Sequence, residues 1–412
     1  MHALDSKPAL DASIISGSAT DPMPIIAHLR EHDPVCWLPG LDAWIVTRHE
    51  DVKMLASDDR VTTDPRAFER YTPPSDPEAA HWLAEAPFRS TTADGISHGR
   101  RLVAAAVTPR AAARLESVMQ EVVERFAAPL RSRTDLVDLM DEFGVPVAAT
   151  SLGRMLGVPI KDEDEIHFRT LAVRAVSLIR PFASDKKRKR MEHAVVEMGN
   201  YVSGLVQERI AAPREDLISD LLAASDRSVT AVDLVTRVVA GLVSAGSGTT
   251  SVGFGRAMRT LLHHAEQLAE LRRDRSLMPN AIEELMRFDN GVLFMPRYVL
   301  EDFELRDQKI RRGQLVLAGL MSANRDPRVF ADPDRLDLQR DARAHMGFSY
   351  GHHYCGGANI ARMQLRLMIG AALDFLPEGA RLLEHEIRWS AKGVMSQIKS
   401  LPVDFAGLTG GE

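Results

Sequence analysis

The segment His345–Arg362, which reads HMGFSYGHHYCGGANIAR, places a cysteine in a glycine-rich loop directly before an amphipathic helix. Cys355 lies two residues after His353 and is followed by two glycines, the second of which is Gly357. A thiolate there would be stabilised by the positive end of the helix dipole and by free backbone N–H groups. Phe348 could shield the sulfur from water, and glycines let the backbone approach a flat ligand. These are the requirements for a cysteine that ligates haem iron.

The loop closely resembles the cysteine loop of the cytochromes P450, whose usual pattern is Phe-Gly-x-Gly-x-His-x-Cys-x-Gly-x-x-Leu-Ala-Arg. Ser349 and Ile360 depart from this pattern. The resemblance implies a mainly α-helical fold with small β-sheets, in which a triangular helical domain carries a long central helix over the haem. It also implies haem b as the cofactor, with Cys355 as the axial ligand of the iron. The matching positions are Phe348, Gly351, His353, Cys355, Gly357, Ala361 and Arg362.

Two other roles are open to a cysteine in this loop. His352, His353 and Cys355 could bind zinc, but a structural zinc site usually has four ligands in paired clusters. The other cysteine, Cys36, lies far away in the sequence among apolar residues. Alternatively, Cys355 could be a buried free cysteine that packs as a small hydrophobic side chain. The matches at fixed spacing favour the haem ligand.

The composition is that of a soluble globular protein. The chain has 412 residues, 45% of them hydrophobic, and shows no linker, repeat or low-complexity tract. We therefore predict a single domain over residues 1–412, with the first ~20 residues flexible. The net charge of −6 argues against nucleic-acid binding. No apolar run reaches the roughly 18–20 residues of a membrane span, and the two cysteines favour a reducing cytoplasm. We expect a monomer.

Helices are the main elements expected to position the cysteine loop. From about Pro109 onward, apolar residues recur at three- and four-residue spacing, as in AAARLESVMQEVVERFAAPL. The longest helix is predicted to begin at Thr230, where Thr230 and Asp233 form a capping-box pattern, and to run to about His264. At ~1.5 Å per residue, that helix is a rod of roughly 50 Å. Short strands are predicted at PVCWLP, AWIVTR, VLFMPRYVL, QLVLAG and LPVDF.

A Glu-x-x-Arg pair precedes the cysteine by about seventy residues. The spacing of Glu284 and Arg287 places both side chains on one helix face, where they can pair. Such pairs also occur by chance on surface helices, where they stabilise little. In the resembled family, a pair with this spacing is closed by an arginine from a segment like Asp332–Arg335. The resemblance therefore implies a structural role for Glu284, Arg287 and Arg335 near the haem.

Haem carries two propionates, which need cationic or N–H partners when they are partly buried. Arg297 and His353 occupy positions that bind propionates in the resembled family. A third partner there comes from a helix that begins His-x-x-x-Arg, and the corresponding sequence here is SHGRRLV. Aligning Arg-Arg-Leu-Val assigns this role to Arg100, whereas aligning the histidine assigns it to His98 and requires a two-residue shortening. Alternatively, Arg100 and His98 could both belong to a solvated basic face of the helix.

The predicted long helix contains the sequence AGSGTT, which places two glycines in its interior. Each glycine costs about 1 kcal/mol relative to alanine. A close approach to the haem and room for dioxygen would explain Ala245, Gly246 and Gly248, and packing against another helix is the alternative. The resemblance makes this segment the oxygen-binding groove, with Thr249 as the hydroxyl that stabilises bound oxygen. The family usually has Asp or Glu where Gly248 lies, so we expect weakly coupled or substrate-assisted proton delivery.

The resemblance also locates a substrate pocket without identifying the substrate. Most of the lining segments, which include Phe68–Gly95, are apolar and indicate a hydrophobic substrate. The run KKRKR at residues 186–190 is interpreted as a solvated loop or helix edge. A role in substrate entry or membrane contact is the alternative for it. The individual residues predicted to line the pocket are Leu242, Val243, Val292, Leu293, Phe294, Val394 and Met395.

The resemblance implies a haem-thiolate monooxygenase that inserts one oxygen atom from O2 into a C–H bond of a terpenoid, steroid or polyketide. No flavin or nicotinamide fingerprint is present, so electrons are expected from NAD(P)H through a ferredoxin reductase and a ferredoxin. A second interpretation is an enzyme of this scaffold that uses peroxide or catalyses a rearrangement or dehydration, which Gly248 keeps open. A third is a non-catalytic haem-binding protein, which Thr249 and the apolar pocket segments argue against.

Overall fold

A computed structural model describes residues 22–84, 93–158, 162–175, 185–226, 228–391 and 394–406. The N-terminal segment predicted to be flexible lies outside these residues. The helices are α1 Met23–His32, α2 His49–Leu55, α3 Pro77–Ala84, α4 Ala93–Ala106, α5 Pro109–Ala127, α6 Val145–Met155, α7 Asp162–Ala175, α8 Asp185–Ala211, α9 Leu217–Ala224, α10 Val229–His263, α11 Ala265–Arg273, α12 Met278–Phe288, α13 Leu320–Ala323 and α14 Ala358–Phe375. The strands are β1 Val35–Leu38, β2 Ala43–Val46, β3 Val61–Thr62, β4 Leu136–Asp138, β5 Met295–Val299, β6 Phe303–Leu305, β7 Gln308–Ile310, β8 Leu315–Ala318, β9 Arg381–Leu382, β10 Arg388–Ala391, β11 Ser396–Ser400 and β12 Pro402–Asp404. Helices therefore predominate over small sheets, as predicted.

The chain divides into two compact units, each assembled from three segments. Unit 1 comprises residues 1–72, 283–355 and 389–397, and unit 2 comprises residues 73–282, 356–388 and 398–412. Because the segments of the two units alternate along the chain, no single cut separates them. The prediction of one domain over the whole chain stays a prediction.

Unit 1 is built on a five-stranded sheet with the strand order β1-β2-β8-β5-β3. β1 and β2 form an antiparallel hairpin that places Val35 opposite Val46, and β2 runs parallel to β8. β5 pairs antiparallel with both β8 and β3. Every residue of β2 and β8 is buried, as expected for strands that are covered on both faces. The strands predicted from the apolar runs in this unit are confirmed.

Unit 2 is mainly helical, and one of its core clusters is formed by side chains of α4 to α10. Phe168, Val202 and Val239 are among the fully enclosed members of this core. A small sheet with the strand order β4-β12-β9 also belongs to this unit. The helix predicted from the sequence AAARLESVMQEVVERFAAPL is confirmed as α5, with the hydroxyl of Thr108 accepting the N–H of Ala111 at its start.

Helix α10 is the long helix that the sequence predicted, and it has 35 residues. Its N-cap is Ser228, whose hydroxyl oxygen accepts the N–H of Ala231 at 3.2 Å. The capping box predicted at Thr230 is therefore wrong. Serine is at least as good an N-cap as threonine, and here it lies two residues earlier, so the helix begins before the predicted cap.

By length and composition, α10 could cross a membrane, because an 18-residue window within it has a mean hydropathy of 1.5. The expectation that no apolar run reaches this length is wrong for this helix. No other helix in the described ranges meets the same criterion. The core helix of a soluble protein also meets it, and Val235, Val238, Val239 and Val243 of α10 are fully buried in the core of unit 2.

Candidate active site

The cysteine loop ends the second segment of unit 1. A backbone hydrogen bond closes the loop: the N–H of Cys355 donates to the carbonyl oxygen of Phe348 at 2.8 Å. Gly351–His353 forms a short 3-10 turn inside the loop. Cys355 is exposed and Phe348 is buried. The loop therefore presents a thiol at its surface while its neighbouring phenyl ring is packed inside.

Ser349, which replaces a glycine of the family motif, adopts a conformation that glycine favours. Its φ is +62°, in the left-handed region. The residue is 6% exposed, and its hydroxyl has no hydrogen-bond partner among the residues that the structure describes. Serine at this position therefore costs both backbone strain and an unsatisfied buried hydroxyl. The motif's second glycine, Gly351, is retained, and a Cβ there would overlap the side chain of Ser57.

A buried ion-pair cluster lies in the same unit as the loop. Arg287 pairs with Glu284 at 2.7 Å, and neither side chain has any exposed surface. The third member is Arg340, whose Nε lies 3.2 Å from a carboxylate oxygen of Glu284. The assignment of Arg335 to this cluster is wrong, because its side chain is 69% exposed and pairs with Asp337. Sequence reasoning missed Arg340, although it lies only five residues further along the chain.

The path of the backbone explains why Arg335 does not reach the cluster. Asp332 has a φ of +46°, and the turn that follows directs the carbonyl oxygen of Arg335 toward the cluster. That oxygen accepts hydrogen bonds from Arg287 at 3.4 Å and from Arg340 at 3.2 Å. Arg335 therefore contributes its backbone carbonyl oxygen to the ion-pair cluster, whereas its side chain lies outside the cluster.

Asn324 connects the ion-pair cluster to the cysteine loop. Its backbone oxygen accepts a hydrogen bond from Arg287 at 2.9 Å, and its side-chain oxygen accepts the N–H of Met346 at 2.6 Å. The next residue, Gly347, donates its N–H to Nδ1 of His345 at 2.9 Å. Asn324 and His345 are both buried. The backbone that leads into the loop is thus fixed by buried hydrogen bonds, which no sequence motif indicated.

Arg297 on β5 is a buried guanidinium with an unsatisfied hydrogen-bond donor. The residue is 1% exposed, and its Nη1 donates to the carbonyl oxygen of Pro296 at 2.9 Å. Its Nε has no hydrogen-bond partner, and no carboxylate in the described part of the chain pairs with it. Burial lowers the pKa of Arg297 to about 10. A buried guanidinium in this state needs an anionic partner, and a haem propionate has a suitable charge and shape.

The other residues predicted to contact haem are spread over both units. His353 is half-buried at the end of the 3-10 turn in unit 1. Gly357 is the N-cap residue of α14 in unit 2, and a Cβ there would meet no atom within 4 Å. His98 and Arg100 belong to α4, and their side chains lie outside the described part of the structure.

The AGSGTT segment lies in the middle of α10. Ala245 and Thr249 are exposed, whereas Gly248 is buried. The hydroxyl of Thr249 donates to the carbonyl oxygen of Ala245 at 2.6 Å, so its oxygen can still accept a hydrogen bond. A Cβ on Gly246 would lie 3.5 Å from Leu152, which is an ordinary van der Waals contact. Packing against another helix therefore does not explain the glycine at position 246.

Two of the predicted pocket segments are joined by backbone hydrogen bonds in unit 1. The N–H groups of Leu293 and Phe294 donate to the carbonyl oxygen of Val394 at 2.9 and 3.2 Å. Val292 and Met395 face each other in an isolated antiparallel bridge. These two residues are half-buried and the other three are buried. Val292 and Met395 therefore have more surface available to a ligand than their neighbours.

The pocket residues predicted in unit 2 lie next to each other on α10. Leu242 is half-buried and packs at the margin of the core. Val243 has 0% of its surface exposed and lies inside that core. Consecutive residues on a helix point about 100° apart, so the two side chains lie on different faces.

Helix α3, within a segment predicted to line the pocket, is held at three points. The N–H and hydroxyl of Ser75, just before the helix, donate to the carboxylate of Glu192 on α8 at 3.1 and 2.6 Å. The indole of Trp82 packs so closely on Gly199 of α8 that any Cβ there would overlap the ring. Arg237 of α10 donates to a backbone oxygen in the last turn of α3 at 3.0 Å. The position of α3 is therefore fixed by α8 and α10.

Comparisons with known proteins show the family of this chain. The family model for cytochrome P450 matches residues 35–375. The chain is 33% identical to nocardicin C N-oxygenase of Nocardia uniformis subsp. tsuyamanensis over 395 residues, which are 94% of this chain and 96% of that protein. It is 33% identical to vitamin D(3) 25-hydroxylase of Pseudonocardia autotrophica over 366 residues, 87% of each chain. The crystal structure of CalO2 superposes with a TM-score of 0.84 at 29% identity and covers 99% of this chain and 100% of its own. The chain belongs to the cytochrome P450 family, and it is a haem-dependent oxygenase.

Proposed function

We propose that this protein is a haem-thiolate monooxygenase in which Cys355 is the axial ligand of the iron. The observation that carries the proposal is the exposed thiol of Cys355. It lies on a loop that is closed by a hydrogen bond from the N–H of Cys355 to the carbonyl oxygen of Phe348. When bound, haem supplies the iron that activates O2 for insertion of one oxygen atom. The protein must then hold the cofactor, exclude water and move protons.

Arg297 would hold a haem propionate, with His353 and either Arg100 or His98 as further partners. The buried Nε of Arg297, which has no hydrogen-bond partner among the described residues, supports this role. An adjacent carboxylate would favour the charged guanidinium and raise its pKa from the lowered value of about 10. Phe348, buried beside the cysteine loop, would limit the access of water to the sulfur.

Thr249 would hold a water molecule next to the reacting oxygen. Its hydrogen is donated to Ala245, so Oγ1 accepts a hydrogen bond from that water. Gly248, one residue earlier, has no side chain that could pass on a proton. We propose that protons arrive through ordered water or through a hydroxyl of the substrate, and that delivery is weakly coupled to product formation.

The proton-delivery proposal is tested by Gly248→Asp, with Gly248→Asn as the size-matched control that carries no acidic proton. The assay measures peroxide release against product. We expect Gly248→Asp to lower the peroxide fraction and Gly248→Asn to leave it unchanged or raise it. Unchanged coupling in Gly248→Asp would contradict the proposal.

The substrate we propose is a hydrophobic small molecule of the terpenoid, steroid or polyketide kind. The partly exposed apolar surfaces of Leu242, Val292 and Met395 support it. The similar proteins are named for nocardicin C and vitamin D3, which shows that related chains oxidise different molecules. We also propose that the protein is a cytoplasmic monomer and receives electrons from NAD(P)H through a ferredoxin reductase and a ferredoxin.

A second candidate is a reaction on the same scaffold that uses peroxide, or a rearrangement or dehydration. Gly248 favours it, since such reactions do not need the proton relay that an acid would supply. Turnover with NADPH, reductase and ferredoxin, compared with turnover on peroxide alone, separates the two. Product formed only with peroxide would replace the monooxygenase proposal.

Thiolate ligation is tested by the absorbance of the reduced carbon-monoxide complex. The wild-type protein should give the red-shifted band typical of a thiolate ligand. Cys355→Ala should lose this band, and Cys36→Ala, which changes a buried cysteine elsewhere in unit 1, should keep it. A band that survives in Cys355→Ala would overturn the assignment.

A further inference from the structure

A row of basic side chains lies on the exposed side of the first turns of α8. Lys186, Lys189, Arg190 and His193 are all exposed, and their spacing places them on one helix face. We call these four residues the basic stripe. At ~1.5 Å per residue, the stripe is about 10 Å long. Lys186, Lys189 and Arg190 form no ion pair with any residue in the described ranges.

The positive charges of the basic stripe are unfavourable in the isolated helix. Lys186 lies in the first turn of α8, where the positive end of the helix dipole disfavours a cation. Like charges three or four residues apart also repel each other. The acidic residue of the first turn, Asp185, pairs with Arg188 at 3.0 Å, outside the stripe. The arrangement therefore costs stability in the isolated chain, and an external negative charge would offset that cost.

The surroundings of the basic stripe argue against a membrane or a nucleic acid as the source of that charge. The opposite face of α8 is packed into unit 2 through Ala194, Met198 and Val202. No apolar face is left to enter a bilayer, as membrane-surface helices require. A stripe of about 10 Å contacts few phosphates, and the chain as a whole has a net charge of −6. An acidic protein can match a short rigid row of cations with carboxylates at helical spacing.

The basic stripe lies on the helix that holds α3, which belongs to the predicted pocket segment. His193 directly follows Glu192, whose carboxylate holds Ser75 at the start of α3. Trp82 of α3 packs on Gly199, two turns further along α8. A protein bound to the stripe would therefore contact the helix that positions the predicted pocket segment. This location suits delivery of the substrate.

We propose that the basic stripe docks an acidic protein that delivers the substrate of this enzyme. The inference rests on the proposed function for the meaning of "substrate", but the docking itself does not depend on turnover. Charge complementarity makes the contact sensitive to salt, because exposed ion pairs are screened at high ionic strength.

The test titrates the haem-loaded full chain with a labelled acyl carrier protein as the acidic probe, and separately with a ferredoxin. Lys189→Glu/Arg190→Glu should weaken carrier-protein binding at least about tenfold, because it turns two attractions into repulsions. The matched control is Arg110→Glu/Arg381→Glu, which makes the same charge change at exposed positions elsewhere in unit 2. The control should change binding less than about twofold.

Three results would overturn the proposal. They are a wild-type protein that does not bind the carrier protein, equal losses in both double variants, and a loss confined to ferredoxin. The last result would make the stripe an electron-donor site instead. The carbon-monoxide spectrum should be the same in all variants, so a failure of haem ligation would be seen separately.

A stability measurement excludes misfolding as the cause of lost binding. Lys189→Glu/Arg190→Glu replaces the repulsion of Lys189 and Arg190 with Lys186 by attraction, which should raise the melting temperature by about 1–2 °C. A lower melting temperature would show that the stripe stabilises the fold, and the proposal would then fail.

Discussion

Replacing Arg340 by alanine is expected to destabilise the protein, whereas the same change at Arg335 is expected to be nearly neutral. Nε of Arg340 lies 3.2 Å from the buried carboxylate of Glu284. Its Nη2 also donates to the carbonyl oxygens of Asp332 and Arg335, at 3.1 and 3.2 Å. The side chain of Arg335 forms a single exposed ion pair with Asp337.

The size of the effect follows from what Glu284 retains after the change. It would still pair with Arg287 at 2.7 Å, so it would not become an unpaired buried charge. The cost of about 3–5 kcal/mol for breaking a buried pair is therefore an upper bound. A hydrogen bond to a charged group contributes about 1.5–3 kcal/mol. We expect a loss of about 2–3 kcal/mol for Arg340→Ala and of ~0–1 kcal/mol for Arg335→Ala.

The assay is urea unfolding of the haem-loaded variants, followed by circular dichroism and by the haem absorbance. Both variants remove one arginine from the same short segment, so each controls for the charge change in the other. A loss of stability in Arg335→Ala as large as that in Arg340→Ala would refute the reasoning. It would mean that Arg335 closes the cluster, as the family resemblance implied.

Three further changes test other parts of the structure. Ser349→Gly should raise the free energy of unfolding by about 1–2 kcal/mol, because glycine adopts the left-handed φ without the Cβ penalty; Ser349→Ala keeps that penalty and should gain less in the same urea titration. Arg297→Gln should weaken haem binding about tenfold or more in a haem titration, since it removes the charged partner proposed for a propionate; unchanged affinity would exclude that role. Gly199→Leu should lower the melting temperature by displacing the indole of Trp82, whereas Gly204→Leu, placed where a Cβ meets no atom within 4 Å, should not.

Features set by neighbouring residues were predictable from the sequence. The apolar runs predicted β1 and β2 because their alternation with turn residues is local. The cysteine motif predicted the family because its residue types and spacing are contained in one loop, and the match to residues 35–375 confirms that prediction.

Features set by the path of the chain were not predictable. Arg335 and Arg340 are equally suitable by type, and only the folded path of the chain shows that the side chain of Arg340 reaches Glu284 while that of Arg335 pairs with Asp337. Asn324 belongs to no motif, yet its side chain fixes the backbone of Met346 before the cysteine loop. The contacts of such residues depend on which side chains the fold buries, and a sequence pattern indicates burial only through the periodicity of apolar residues.

The two pairs that join α3 to α8 also limit how this protein can be recombined with its relatives. Ser75 with Glu192 and Trp82 with Gly199 are each separated by 117 positions in the chain. Any chimera with a crossover between Ala84 and Asp185 inherits one half of each pair from a different parent. The α3 of this protein combined with a foreign α8 that has no glycine at the position of Gly199 would bring the indole of Trp82 against a side chain. Libraries that exchange pocket segments should therefore transfer α3 and α8 together as one block.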